Sequence, residues 1–302
     1  MFKVIEVQED WVVDEEWMGT KTKFWVSIPP DGEIWLFKHS RVSGEFFAGE
    51  HWSEKLASEI AKAIGVPCAD VELACFNGQP GCLSRKFSQL ADGVELVHGN
   101  ELLAGAIQGY DQAKNYGLST HTLENILSTA DSLMMTPEAK VEAAIAIGGM
   151  VTLDALIVNV DRHHENWCVF RSREQDGAKH SIGPSFDHAS SLGRELNAAK
   201  IDSWLRSGLA NRGEWYVNKA RGAIYWNSSG SKGTNPLELL RLAYGEWPEM
   251  ITPWLERLSR IDIDELCRLL DEIPDGYIEQ PCREFTADLL RYTYRELTGI
   301  RL

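Results

Sequence analysis

Alternating apolar and polar residues mark the early part of the chain as strand-rich. Residues 24–28 and 33–38 flank the turn Pro29-Pro30-Asp31-Gly32, and residues 71–76 and 82–87 read as two further strands. Between these pairs the period changes. Leu56, Ala57, Ile60, Ala61 and Ile64 recur at helical spacing from about Trp52, and Gly65-Val66-Pro67 stops the run. Beyond residue 88 helical patterns dominate, at 101–115, 122–135, 137–158, 236–244, 253–258, 263–273 and 281–297. Thr136-Pro137-Glu138 and Thr252-Pro253 each place a hydroxyl before a proline suited to the first helical position, so both predict a helix start. Residues 137–158 are apolar on nearly every side, which predicts a buried central helix.

The candidate chemistry gathers where that helix ends. Residues 159–166 read Asn-Val-Asp-Arg-His-His-Glu-Asn, placing Asp161, His163 and Asn166 in one cluster. Trp167-Cys168-Val169-Phe170 and Ser181-Ile182-Gly183 read as short strands around the polar turn Gln175-Asp176-Gly177. Such a hairpin returns the chain to Phe186-Asp187 beside the cluster. An Asp followed five residues later by an Asn lets the acid orient a hydroxyl while the amide oxygen faces a metal. Asp187 adds the hard anionic oxygen that Mg²⁺ prefers. Asp and Asn are also ordinary turn residues; the apolar helix before them and the hairpin after them favour the phosphoryl-transfer reading.

The run from Asn159 to Asn166, followed by Phe186-Asp187-His188, resembles the catalytic segments of the HipA-like serine/threonine kinases. The resemblance covers roughly residues 17–195. It implies an α+β, two-lobed protein-kinase-like fold, with ATP between the lobes and Mg²⁺ as the metal. Residues 1–88 would form the small β-rich lobe and 89–302 the larger, mainly helical one. In that scheme Asp161 orients or deprotonates the acceptor hydroxyl, Asn166 and Asp187 hold Mg²⁺, and Lys38 pairs the phosphates. Glu54 fixes Lys38, with Glu50 and Glu59 as rivals. His163 stands where many protein kinases place a lysine; a phosphate contact and a neutral structural histidine are both open. Gly19, in Gly19-Thr20-Lys21-Thr22-Lys23, matches the glycine-rich segment over the phosphates, with Lys23 at its end. Phe87 and the following Ser88-Gln89 fall where a hinge meets adenine. The serine that some members autophosphorylate near this glycine has no counterpart here; Thr20 and Thr22 are the neighbouring hydroxyls. The extra N-terminal subdomain common in the family is expected to be missing. The resemblance also implies a toxin–antitoxin setting, with a translation component as substrate and a small DNA-binding antitoxin as partner.

Composition narrows the alternatives. A net charge of -15, from 45 acids and 30 bases, argues against attraction to phosphate backbones, so direct nucleic-acid binding is not expected. No segment reaches the ~20 apolar residues of a membrane span, which predicts a cytoplasmic protein without a membrane partner. With 302 residues and 44% apolar content, the chain has enough to bury a full core. Cys68, Cys75, Cys82, Cys168, Cys267 and Cys282 form no C-x-x-C pair and are expected to be reduced thiols. Neither G-x-x-x-x-G-K-[ST] nor G-x-G-x-x-G occurs, which disfavours P-loop and Rossmann enzymes; Gly230-Ser231-Lys232-Gly233 reads as a flexible loop.

Three other functions compete. A phosphoinositide-type lipid kinase has a similar catalytic loop, but the acidic chain offers anionic lipid no legible basic face. A metal hydrolase would use Asp161, His163, His164, His180 and His188, yet no H-E-x-x-H is present. A nucleotide-binding pseudokinase acting as an interaction module would lack a catalytic acid, and none is missing.

Overall fold

The computed structural model describes residues 1–16, 23–43, 46–88, 90, 93–174, 177–209 and 211–300. The chain opens with β1 (Val4–Glu6), β2 (Val12–Glu16), β3 (Lys23–Ile28), β4 (Glu33–His39), the short pair β5 (Val42–Ser43) and β6 (Phe46–Phe47), α1 (Glu50–Ile64), β7 (Val71–Phe76) and β8 (Gln79–Arg85). Six of these strands make one sheet in the order β1-β7-β8-β4-β3-β2. It is antiparallel throughout except where β1 lies beside β7. One face carries a small core of Val7, Phe24, Val26, Trp35, Phe37, Ala74 and Leu83.

Register decides what the other face holds. Lys23 lies opposite Lys38, Lys38 opposite Cys82, and Cys82 opposite Leu73. Leu73 packs with α1, so this cross-strand row sits on the α1 side of the sheet. Because side chains alternate strictly along a strand, burying Phe37 on one face obliges Lys38 to project from the other. The helix α1 is capped by Gly65 in the left-handed conformation (φ 77°), a geometry glycine adopts at little cost.

The larger part comprises β9 (Glu95–His98), α2 (Gly99–Ala106), α3 (Leu123–Leu133), α4 (Pro137–Ile157), β10 (Cys168–Glu174), β11 (Gly177–Ile182), α5 (Ala198–Arg206), α6 (Arg212–Lys219), α7 (Pro236–Glu246), α8 (Pro248–Leu258), α9 (Ile263–Arg268) and α10 (Gln280–Thr298). The strands β11-β10-β9 form a separate antiparallel sheet. The main core is built around α4, against which α7, α8 and α10 pack. At Gly148 and Gly149 the α4 backbone meets the Met250 carbonyl and the Trp254 ring so closely that a Cβ would collide with both. Trp52, Leu56 and Ile60 of α1 belong to the same core as Ile147 and Leu153 of α4. The architecture is therefore α+β and two-lobed, with α1 bound by burial to the helical lobe as well as to its own sheet.

Several helix expectations shift. The run predicted at 101–115 is helical only to Ala106, and Gly109 (φ 76°) and Gly117 (φ 68°) take left-handed backbone in the irregular segment beyond. Helix α8 begins at Pro248, not at Pro253, which lies inside it. Extending the helix buries Met250 and Ile251, a gain that outweighs the one hydrogen bond Pro253 cannot donate. The N-terminal half of α4 is partly open to solvent, with Val141 exposed, and full burial starts near Ile147. β9, α5 and α6 had no distinct pattern in the sequence. All six cysteines are free thiols. Among the described residues no helix is long and apolar enough to cross a membrane.

Candidate active site

Helix α4 ends at Val158, a β-branched residue in left-handed backbone (φ 55°) whose N–H is bound by the Asp154 carbonyl. Such a conformation costs about 1–3 kcal/mol and persists only where surrounding contacts enforce it. The loop that follows carries the candidate acid. The Asp161 N–H donates to Asn159 Oδ1 at 3.1 Å, and Ser190 Oγ donates to Asp161 Oδ2 at 3.2 Å. Burial and the nearby Asp161 carboxylate push the Tyr116 phenol up to about 12, so it stays protonated.

Asn166 Nδ2 donates to the Asp161 carbonyl at 2.7 Å. With its amino end committed to the loop, Asn166 has Oδ1 left as an acceptor, the atom a hard cation requires. His163 Nδ1 accepts the Glu165 N–H at 3.2 Å, which places the ring proton of the neutral form on Nε2. Its ring also meets Tyr116 edge-on at 5.7 Å.

Lys38 reaches this region from the sheet. Its Nζ lies 3.1 Å from Asp187 Oδ1 and 3.8 Å from Glu54 Oε1. Burial opposes the charge on Lys38, but Asp187 and Glu54 overcome it and hold the ammonium well above its usual range. The lysine is cationic throughout the physiological range. Asp187 has left-handed backbone (φ 57°), which Asp tolerates better than most residues, and the turn carries its carboxylate to Lys38. The two rivals of Glu54 are engaged elsewhere. Glu50 binds Arg41 and Arg194, at 3.5 and 3.2 Å, while Glu59 binds Lys55 and Lys62, at 2.9 and 3.1 Å.

Lys23 lies directly across from Lys38 in the sheet. Phe87 touches Phe170 and Phe186 edge-on, at 5.6 and 6.0 Å, so the segment after β8 meets the residue preceding Asp187. Gly19, with Thr20 and Thr22, lies outside the described residues, as does Gln89. Asp161, Asn166, His163, Lys38, Glu54, Asp187 and Phe87 thus fall around one region, reached from both lobes.

Arg162 is the residue that sequence reasoning overlooked. Its guanidinium forks onto Asp154 at 2.7 and 2.8 Å and donates to the Asn166 and Phe186 carbonyls, at 2.7 and 3.1 Å, and to Ser185 Oγ at 2.8 Å. One buried cation thereby ties the end of α4 to both candidate metal-binding loops. A signal did exist: Asp154 stands alone among the apolar residues of late α4, where an acid needs a buried partner.

The histidines are largely occupied. His164 contacts the Tyr110 hydroxyl at 3.0 Å and Asn115 Oδ1 at 3.1 Å, and His188 Nε2 contacts Ser185 Oγ at 2.7 Å. No group of three or more His, Cys, Asp or Glu side chains suited to a metal ion occurs among the described residues. The oxygen donors of Asn166 and Asp187 nevertheless have the chemistry Mg²⁺ takes when phosphates complete its shell.

The sequence profile of the HipA-like C-terminal domain matches residues 16–224. The chain belongs to this family. No curated protein sequence matches it. The HipA-like chain resembles the solved Helicobacter pylori proinflammatory kinase CtkA with a TM-score of 0.74 at 17% identity, covering 99% of this chain and 96% of that one. It also resembles Shewanella oneidensis MR-1 HipA, solved with HipB and its operator DNA, with a TM-score of 0.58 at 13% identity over 98% and 70% of the two chains. At such identities these two likenesses establish a shared fold.

Proposed function

We propose that this HipA-like chain transfers the γ-phosphoryl group of Mg²⁺-bound ATP to a serine or threonine hydroxyl of another protein. The observation that carries the reading is the placement of Lys38 between Glu54 and Asp187, at 3.8 and 3.1 Å. A residue of the sheet, one of α1 and one following β11 meet at a single ammonium. A phosphate-pairing lysine requires this convergence, whereas the histidine-based hydrolase has no use for it.

In this mechanism Lys38 pairs the ATP phosphates and Glu54 holds it in place. Asn166 Oδ1 and Asp187 would hold Mg²⁺, which neutralises charge on the β- and γ-phosphates when bound. Asp161 orients the acceptor hydroxyl and takes its proton as the new O–P bond forms and the bond to the leaving ADP oxygen breaks. The loose transition state needs positioned charge more than covalent help. Lys23 and the Gly19 segment would lie toward the phosphates and Phe87 toward adenine. The family relationship, together with Shewanella HipA of a toxin–antitoxin system solved with HipB and operator DNA, supports a toxin–antitoxin setting with an antitoxin as partner. A translation component as target and a small DNA-binding character for that partner are what the resemblance of the catalytic segments implies.

Transfer of radiolabelled phosphate from ATP into cell lysate tests the reading. Asp161→Asn should lower labelling by ~10²-fold or more while the fold survives, the usual scale for losing a positioned acid–base group. Equal labelling by both proteins would sink the role of Asp161. Label confined to lipid would transfer the assignment to a lipid kinase.

A further inference from the structure

The loop that carries Asp161 also borders a groove of about 850 Å³ between α5 and α6, where Val160 forms part of the lining. Trp204 and Trp215 line it too, meeting edge-on with centroids 5.2 Å apart. Trp215 is 40% exposed, high for so large an apolar side chain. Three exposed cations complete the lining: Lys200, Lys219 and Arg221. Among the described residues they contact rings and carbonyls rather than carboxylates. Lys200 Nζ stands 5.8 Å over Trp204 and Lys219 Nζ 6.0 Å over Trp215, while Arg221 donates to the Ala220 and Asn218 carbonyls, at 2.6 and 3.1 Å. Glu195 is the acid of the lining, and its Oε1 accepts the Tyr216 hydroxyl at 2.8 Å.

On a chain of net charge -15, a groove with three cations and one acid is a local reversal of sign. Arg221 carries that reversal onward, since it also lines the neighbouring hollow that holds Lys232. Apolar walls with ammonium groups above them suit an extended peptide that presents carboxylates to the rim and aliphatic carbon to the rings. They suit nucleic acid poorly, because the lysines cover the indole faces on which bases would stack.

We propose that this groove binds an acidic stretch of the protein substrate beside the serine or threonine that is phosphorylated. The inference rests on the phosphotransfer reading and gives it a substrate class: acceptor hydroxyls flanked by Asp or Glu. Continuity through Val160 places the acceptor toward Asp161 while the acidic flank lies along α5 and α6.

The test uses the full chain and three fluorescein-labelled peptides with one serine flanked by Glu, Gln or Lys. Binding is read by anisotropy and phosphate transfer by radiolabelled ATP. The Glu peptide should bind at least ~10-fold more tightly than the Lys peptide at low ionic strength, and the preference should shrink as salt is added. Lys200→Glu combined with Lys219→Glu should abolish the preference while ATP affinity and circular dichroism stay unchanged. Equal binding of the Glu and Lys peptides by the wild type would overturn the inference, as would a double variant that keeps the preference. Displacement of the Glu peptide by substoichiometric oligouridylate would overturn it in favour of nucleic acid. Charge-dependent binding without phosphate transfer would instead leave the groove standing and refute the kinase reading on its own.

Discussion

Arg162→Met should be among the most damaging single changes near the active site, and its two effects are separable. The side chains of Arg162 and Asp154 are only 4% and 8% exposed. Removing one partner from a buried ion pair leaves an uncompensated charge and costs about 3–5 kcal/mol. The same change strips a donor from the Asn166 and Phe186 carbonyls, the backbone groups that hold both proposed metal-binding loops. Urea unfolding should therefore show a loss of at least about 3 kcal/mol, accompanied by a collapse of phosphate transfer. Adding Asp154→Leu removes the orphaned carboxylate and should restore part of the stability, because apolar replacement of a buried pair is often close to neutral. Restoration will be incomplete, since Asp154 Oδ1 also accepts Asn159 Nδ2 at 2.8 Å. Activity should stay low in the double variant, whose loops still lack their anchor. Single-variant stability within about 1 kcal/mol of wild type would refute the buried-pair argument, because surface pairs contribute only that much. Full activity in the double variant would refute the positioning argument.

Lys38→Met should reduce phosphate transfer strongly, whereas Glu54→Gln should cost less because it loosens the lysine without deleting it; full activity in Lys38→Met would end the kinase assignment. Asn166→Ala or Asp187→Asn should abolish the tightening of ATP binding by Mg²⁺, read as nucleotide affinity against Mg²⁺ concentration, and unchanged dependence in both variants would place the metal elsewhere. Acid should destabilise the fold through His51, which burial lowers from 6.5 to about 4 against smaller opposing contributions from the Tyr277 carbonyl and Glu50. Its neutral folded form contributes full stability above pH 6.5, and that contribution, on the order of 3 kcal/mol, is lost as pH falls toward 4. His121, lowered to about 3 chiefly by burial, acts in the same direction. Unfolding free energy should fall across this window, and His51→Gln should flatten the slope; an unchanged slope would remove His51 from the account.

The local chain dictated a good deal. Alternation around Pro29-Pro30-Asp31-Gly32 specified β3 and β4, and the apolar period with its glycine stop specified α1, because both patterns are set by neighbours in sequence. The Thr136-Pro137 start of α4 was equally legible, whereas Thr252-Pro253 was overridden by the burial of Met250 and Ile251, which no local rule records. The Asp161 to Asn166 run and Asp187 stood out through spacing alone. Their mutual fixing did not. Choosing Glu54 over Glu50 and Glu59 needed the rotation of α1 against the sheet, and the hub at Arg162 needed Asp154, Ser185 and Phe186 to converge from separate elements. The groove at Trp204 and Trp215 likewise exists only once α5 and α6 are packed. Residue type and spacing determine which chemistry is available to the chain; which charges share a buried space is decided by long-range packing, where desolvation makes each unpaired group costly.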